Sequence, residues 1–231
     1  MADSAFQTMY RQEYIKGFEK RESLLRKSVT TEALINGNTA VFLVADSGGA
    51  TAVTRGLNGD LPTRPDNLNQ YTVQLAEWHD VPERTNFNIF SSQGEGRRIM
   101  QETCMSVINR KIDSDIHTAL SNATVTWGAA AVATLTLVTT AKTKLGNAFA
   151  LEDDDVFAAI TPAFHGYLMG LNQFTSADYI TLKPFEGVSK SRAFNWYGVN
   201  WIVDAGLPGV GTASATCFMY SRKAIGHALN S

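Results

Sequence analysis

The sequence is poor in cysteine, in charge and in long apolar runs. Cys104 and Cys217 lie far apart with no CxxC pair, so neither a zinc ribbon nor a disulfide framework is supported. No stretch approaches the roughly 18 apolar residues of a membrane span, and no signal-peptide core is evident. The charged fraction is 18% and the net charge is −2, which is unlike the composition of a strongly basic nucleic-acid binder. We expect no membrane partner.

Motifs for catalysis and metal binding are also missing. The four histidines lie on different predicted elements, and neither HExxH nor GxSxG occurs. Asp113 and His117 share one helix face, where a surface ion pair is the favoured interpretation and half of a metal site is the alternative. The acidic run at 153–155 lacks the spacing of a calcium loop. We predict no enzyme activity, no cofactor and no metal site.

The clearest positive feature is a polar segment rich in Gly, Pro and Asn at 46–70. Loops longer than about 12–15 residues are usually functional or disordered. Strand-like patterns at 39–45 and 71–79 bracket this segment. We therefore predict a two-stranded finger that reaches away from the body of the protein to contact another molecule.

A long helix is predicted next, over about 93–123, with capping hydroxyls at Ser91 and Ser92 and a stop at Asn122. Apolar residues recur at every fourth position of this helix. Each such step overshoots one helical turn by about 40°, so the stripe spirals. We predict a strut that buries different faces at its two ends. The series is Met100, Cys104, Ile108, Ile112, Ile116 and Leu120.

The remaining elements are interspersed strands and helices without regular βαβ alternation, which predicts the α+β class. Helical periodicity and strand-like apolar runs place these elements along the chain. Predicted helices cover 4–28, 135–149, 163–171 and 221–229; predicted strands cover 156–160, 179–182, 196–203 and 215–220, and 206–211 is a hairpin loop.

Four arginines are candidates for contacts between subunits: Arg55, Arg64, Arg97 and Arg98. Two lie in the polar segment and two lie at the start of the long helix. A planar guanidinium group suits bidentate pairing with a carboxylate of a neighbour. The alternative is that they are exposed arginines of little energetic consequence.

Two stretches, together with the order of the elements, carry a family resemblance. VFAAITPAFHGYLMG looks like an axial strand, a proline turn and a short helix, and FNWYGVNWIVDAGLPG with ATCFMYSRKAIGHAL looks like a set of late strands. In this order the chain resembles a tailed-bacteriophage major capsid protein of the HK97-like fold. The resemblance implies an N-terminal arm (1–31), an extended β-finger (32–91, with its E-loop at about 46–70), a spine helix of the peripheral domain (92–127), a mixed α/β axial domain (128–220) and a return to the peripheral domain (221–231).

The resemblance also implies a function. Such a protein self-assembles in the host cytoplasm into pentamers and hexamers of an icosahedral shell, and it resides in the virion around double-stranded DNA. Its expected partners are copies of itself, scaffolding, portal and decoration proteins, and packaged DNA bound non-specifically. Two alternatives stay open: the shell of an encapsulin-like nanocompartment, and a small enzyme whose polar segment forms a mobile lid.

Overall fold

The structure, a computed structural model, describes most of the chain. The described residues are 22–32, 35–83, 96–128, 131–151, 155–175 and 193–228. The chain divides into two compact units. The first unit holds the chain up to Ser28 and again from Trp78 to Arg222, and the second holds Val29–Glu77 and the chain from Lys223 onward.

The described residues form both strands and helices, in agreement with the predicted α+β class. The strands are β1 (Thr30–Glu32), β2 (Ile35–Asn36), β3 (Thr39–Asp46), β4 (Asn67–Gln74), β5 (Val156–Ile160), β6 (Ala193–Trp196), β7 (Val199–Val203), β8 (Phe218–Ser221) and β9 (Gly226–Ala228). The helices are α1 (Gly96–Ser121), α2 (Leu135–Asn147), α3 (Pro162–Met169) and α4 (Asn172–Thr175), with 3-10 turns at Leu25–Ser28 and Arg222–Ala224.

The first unit is built on a four-stranded mixed sheet with the order β6-β7-β5-β8. β5 is internal, parallel to β7 and antiparallel to β8. It has a strand on each side, and nearly all of its VFAAI sequence is buried. The predicted strand at 156–160 is therefore confirmed, and an uninterrupted apolar run is the pattern expected of a strand covered on both faces.

An aromatic cluster forms much of the core beside this sheet. Phe174 of α4 is fully buried, and its ring lies 4.8 Å from that of Trp196 and 5.6 Å from that of Phe194, both edge to face. The indole nitrogen of Trp201 donates to the Trp196 carbonyl at 2.9 Å, so its polar atom is satisfied inside the core. This packing ties α4 to β6 and β7.

Two threonines start the helices that pack on this core. The side chain of Thr134 accepts a hydrogen bond from the Leu137 amide at the start of α2, and that of Thr161 accepts one from the Phe164 amide at the start of α3. Pro162 occupies the first turn, where its missing N–H costs nothing. The helices predicted at 135–149 and 163–171 are confirmed, apart from their last two residues.

The long helix α1 ends at Ser121, before the predicted stop, whereas its predicted start lies outside the described residues. Ile112, Ile116 and Leu120 are buried, but Ile108 is exposed. The apolar stripe therefore spirals onto the buried face only in the second half of α1. Elsewhere on the helix, Lys111 Nζ lies 4.0 Å from the centre of the Trp78 ring, in a cation–π contact.

The described residues of the second unit form two small sheets. β2, β3 and β4 form an antiparallel sheet, and β1 pairs with β9 in parallel. β9 approaches β3 closely at Gly226, because a Cβ atom there would come within 2.7–2.9 Å of ring atoms of Phe42. Only glycine fits such a contact without displacing the ring.

Two predictions for the end of the chain are wrong. The segment 196–203 is not one strand, because Tyr197 and Gly198, both with positive φ, make a tight turn between β6 and β7. The predicted helix at 221–229 is only a single 3-10 turn, after which the chain becomes β9. Pairing with β1 decides the extended conformation of β9. This pairing cannot be predicted from the helical periodicity of the local sequence.

Other predictions differ in extent or lie outside the described residues. The second finger strand begins four residues earlier than predicted and ends at Gln74. Of the predicted helix at 4–28, residues 25–28 form a 3-10 turn and 1–21 are outside the described part. The predicted strand at 179–182 is also outside it. No described helix is long and apolar enough to cross a membrane.

Truncation of the aromatic core should destabilise the protein. Phe174 has 0% of its surface exposed and Phe149 has 76%. We expect Phe174→Ala to lower the free energy of unfolding by about 3–5 kcal/mol through the cavity it leaves. The matched change Phe149→Ala should alter it by no more than about 0.5 kcal/mol. Urea denaturation followed by fluorescence measures both, and equal losses would contradict the assignment of the core.

Acidification should weaken the same core through His165. Its ring lies 5.3 Å from that of Phe194, and burial lowers the pKa of His165 below its usual 6.5. The folded state therefore favours the neutral imidazole, so stability falls as the pH drops below that usual value. We expect the melting temperature to fall less between pH 7.5 and 5.5 in His165→Gln than in the wild type.

The exposed His79 provides the control for this measurement. His79→Gln should keep the wild-type dependence of the melting temperature on pH. If His165→Gln shows the same dependence as the wild type, burial of this imidazole does not govern acid stability.

Candidate assembly interface

A β-finger projects from the base of the second unit's antiparallel sheet. We use the term finger for β3, β4 and the loop 47–66 between them. β3 and β4 are paired along their whole length, from Thr39 opposite Gln74 to Asp46 opposite Asn67. The predicted two-stranded finger is confirmed. Its loop covers 47–66 and is shorter than the predicted 46–70, mainly because β4 already begins at Asn67.

Both faces of the finger strands expose apolar side chains. Successive residues of a strand point to opposite faces, and a two-layer structure normally buries one of them. Here the exposed residues include neighbours in sequence, so neither face is fully covered within this chain. They are Leu43, Val44, Leu68, Tyr71 and Val73.

Polar contacts close the base of the loop. Asp46 Oδ1 accepts hydrogen bonds from the Gly48 amide at 2.8 Å and from the side-chain amide of Asn67. Arg64 Nη1 donates to the Ser47 carbonyl at 3.0 Å. These bonds join the two sides of the loop where it leaves the strands, so the loop begins from a defined base.

The tip of the loop presents a leucine. The Gly56 amide donates to the Asp60 carbonyl at 3.0 Å, and the Gly59 amide donates to the Gly56 carbonyl at 2.9 Å. Leu57 lies on this turn with its whole side chain in solvent, and Val53 and Leu61 are 67% and 70% exposed. The loop 47–66 contains two arginines and two aspartates and so carries no net charge. Such a surface is suited to burial against a protein partner.

The four predicted arginines have different surroundings. Arg55 lies exposed in the finger loop, whereas Arg64 has one nitrogen engaged at the loop base. On α1, Arg98 Nη1 lies 3.7 Å from Glu102 Oε1 in a mostly exposed pair, and the Arg97 side chain is outside the described part. Their contacts with another subunit stay a prediction.

The exposed apolar side chains of the finger loop have only a weak signal in the sequence. Val53, Leu57 and Leu61 recur at every fourth position in an otherwise polar segment. That spacing is a signal, but without a helix or a strand it predicts no shared face. Only the exposure in the folded chain shows that these side chains have no place in its core.

The predicted surface pair of Asp113 and His117 is wrong. Both residues are buried, and His117 Nε2 lies 3.2 Å from Asp204 Oδ2. Asp113 Oδ1 accepts a hydrogen bond from Ser23 at 2.5 Å. The face of α1 that carries them is covered by other segments of the first unit. Polar residues on this helix are therefore not necessarily exposed to solvent.

Within the described ranges, no three His, Cys, Asp or Glu side chains are close enough to hold a metal ion. Of the acidic run, Asp155 is described, and its Oδ2 lies 3.5 Å from Arg222 Nη1. Residues 153 and 154 are outside the described part.

The mixed sheet, the long helix and the finger have one class of fold, the HK97-like fold. The chain belongs to the phage capsid protein family, which matches residues 2–231. It is therefore a structural protein of the phage capsid, its location is the virion, and copies of it associate with one another in capsid oligomers. No curated protein matches the sequence.

Solved structures with the same fold come from several phages. A chain of Mycobacterium phage Che8 matches with a TM-score of 0.74 and 12% identity over 99% of this chain and 84% of that one. The capsid of cyanophage P-SCSP1u matches with a TM-score of 0.59 and 12% identity over 97% and 80%. The mature capsid of bacteriophage PhiM1 matches with a TM-score of 0.59 and 12% identity over 93% and 76%. At this identity the likeness shows the fold.

Proposed function

We propose that this chain assembles into pentamers and hexamers, which tile an icosahedral shell around a double-stranded DNA genome. Assembly takes place in the host cytoplasm, and the finger of each subunit lies against a neighbouring copy. Scaffolding, portal and decoration proteins are further proposed partners that the family resemblance implies.

The observation that carries this proposal is the apolar surface of the finger. Leu57 at its tip is fully exposed, and Leu43, Leu61 and Tyr71 are more than half exposed. Burial of apolar surface gains about 25 cal/mol per Å². A neighbouring copy that covers these side chains would therefore supply a large part of the free energy of association.

Contacts of this kind can close a shell. A finger on one copy that meets a different surface on the next makes a heterologous contact, and such contacts form rings when the rotation closes. Each subunit in a ring holds two neighbours at once. Because the contacts are then multivalent, weak individual contacts give a stable assembly.

The charge of the chain suits a wall around DNA. Its net charge is −2, and each phosphate neutralised by a basic side chain adds affinity that depends on salt. A chain with no excess of positive charge holds packaged DNA loosely and without sequence preference. The enclosed genome can then be released without breaking a dense set of ion pairs.

Removal of the finger loop should abolish shell formation. Deletion of 50–63 keeps Ser47 and Arg64, whose bond closes the loop base, and leaves both strands intact. We expect the shortened chain to fold with the wild-type circular dichroism spectrum and to form no closed particles. Negative-stain electron microscopy and light scattering measure the particles, and shells of normal size would contradict the proposed role of the finger.

Two point variants in the same turn refine this test. Leu57→Ser removes the apolar side chain at the tip, whereas Asn58→Ser changes a neighbouring polar one. We expect the critical concentration for assembly to rise with Leu57→Ser and to stay at the wild-type value with Asn58→Ser. Both variants should unfold at the wild-type denaturant concentration, since neither residue lies in the core.

Arg55 should contribute to assembly through charge. If its guanidinium group pairs with a carboxylate of a neighbour, Arg55→Gln should raise the critical concentration several-fold at low salt. The difference from the wild type should shrink at high salt, because ions screen such pairs. Light scattering over a salt series measures this effect.

Arg110→Gln provides the control, because Arg110 is an exposed arginine outside the finger. Equal effects of the two substitutions at every salt concentration would show that Arg55 acts only through the net charge of the chain.

A further inference from the structure

A cluster of polar side chains is buried in the first unit, and the proposed function does not use it. Asp113 and His117 come from α1, Tyr220 from β8, Asp204 follows β7, and Ser28 ends the first 3-10 turn. All five are at most 7% exposed. Buried polar groups are costly unless they are paired, so the partners of this cluster define what it does.

Ser23 connects the first 3-10 turn to α1. Its Oγ accepts a hydrogen bond from the Arg26 amide at 3.3 Å, as a capping residue does. The same hydroxyl donates its proton to Asp113 Oδ1 at 2.5 Å. The buried carboxylate therefore fixes the residue that starts the turn.

Ser28 connects the other end of the turn to β8. Its hydroxyl donates to the Leu25 carbonyl at 2.7 Å, which uses its one proton. In the 2.5 Å contact between Ser28 Oγ and Tyr220 Oη, the tyrosine must therefore be the donor. Burial raises the pKa of Tyr220 to about 12, and the charges of Asp113 and Asp204 add to that shift. The phenol consequently keeps the proton that this bond needs.

A second polar pair lies near Tyr220. His117 faces Asp204 at 3.2 Å, and Asp204 Oδ1 accepts from the Gly206 amide at 2.8 Å. The surface that residues 22–28 contact therefore includes the Asp113 carboxyl group and the Tyr220 phenol, besides the buried Leu25. When such a surface is uncovered, water hydrates its polar groups, so opening costs less than it would for an apolar surface of equal area.

We propose that residues 22–28 form a reversible latch, which closes on α1 and β8 through the hydroxyl groups of Ser23 and Ser28 and opens as one piece while the mixed sheet stays folded.

Amide hydrogen exchange of the full chain, followed by mass spectrometry, tests the latch. In the wild type, peptides that cover 24–28 should exchange faster than peptides from β5 and β7, because they open locally. Tyr220→Phe removes the donor to Ser28 and should speed exchange of 24–28 by about fivefold, the usual effect of one lost hydrogen bond. Exchange of β5 and β7 should not change.

Tyr167→Phe is the matched control, because Tyr167 is exposed. It should leave exchange of 24–28 at the wild-type rate. Ser23→Ala removes the contact with Asp113 from a half-buried position and should also speed exchange of 24–28. It provides a second test if Tyr220→Phe folds poorly. The latch is contradicted if 24–28 exchanges as slowly as β5 and β7 in the wild type, or if both substitutions speed all three segments equally.

Discussion

The antiparallel ladder between β3 and β4 is the interaction on which the finger depends. It runs unbroken from Thr39 opposite Gln74 to Asp46 opposite Asn67, and it carries the loop 47–66 away from the sheet base. The ladder pairs the facing backbone groups of the two strands, which sets their register although neither face is covered within the chain. The side chains are left available for a neighbour, and this explains why the finger exposes apolar residues on both faces.

The parts of the fold that were predicted correctly are those in which local sequence decides the structure. The run 156–160 is apolar throughout, as an internal strand requires, and Thr161 with Pro162 marks the start of the next helix. The finger was recognisable because strand patterns flank a long segment rich in turn-forming residues. Its length and polarity indicated a contact with another molecule, although they gave no hint of which side chains lie exposed at its tip.

The remaining features depend on contacts between distant parts of the chain. Asp113 and His117 have the spacing of a surface pair, yet Ser23 contacts Asp113 and Asp204 contacts His117 inside the first unit. β9 looks helical in isolation and becomes extended because β1, near the other end of the chain, pairs with it. The turn at 197–198 interrupts an apolar run whose pattern alone favours one strand. The local periodicity of apolar residues does not predict such long-range contacts.

The central claim is that a neighbouring copy covers the finger in the capsid. Cryo-electron microscopy of particles assembled from the full chain tests this most directly. The account predicts a closed shell in which Leu57, Leu61 and Tyr71, exposed in the single chain, are buried against the adjacent subunit. A closed shell in which the finger points into solvent, with these side chains uncovered, would contradict it.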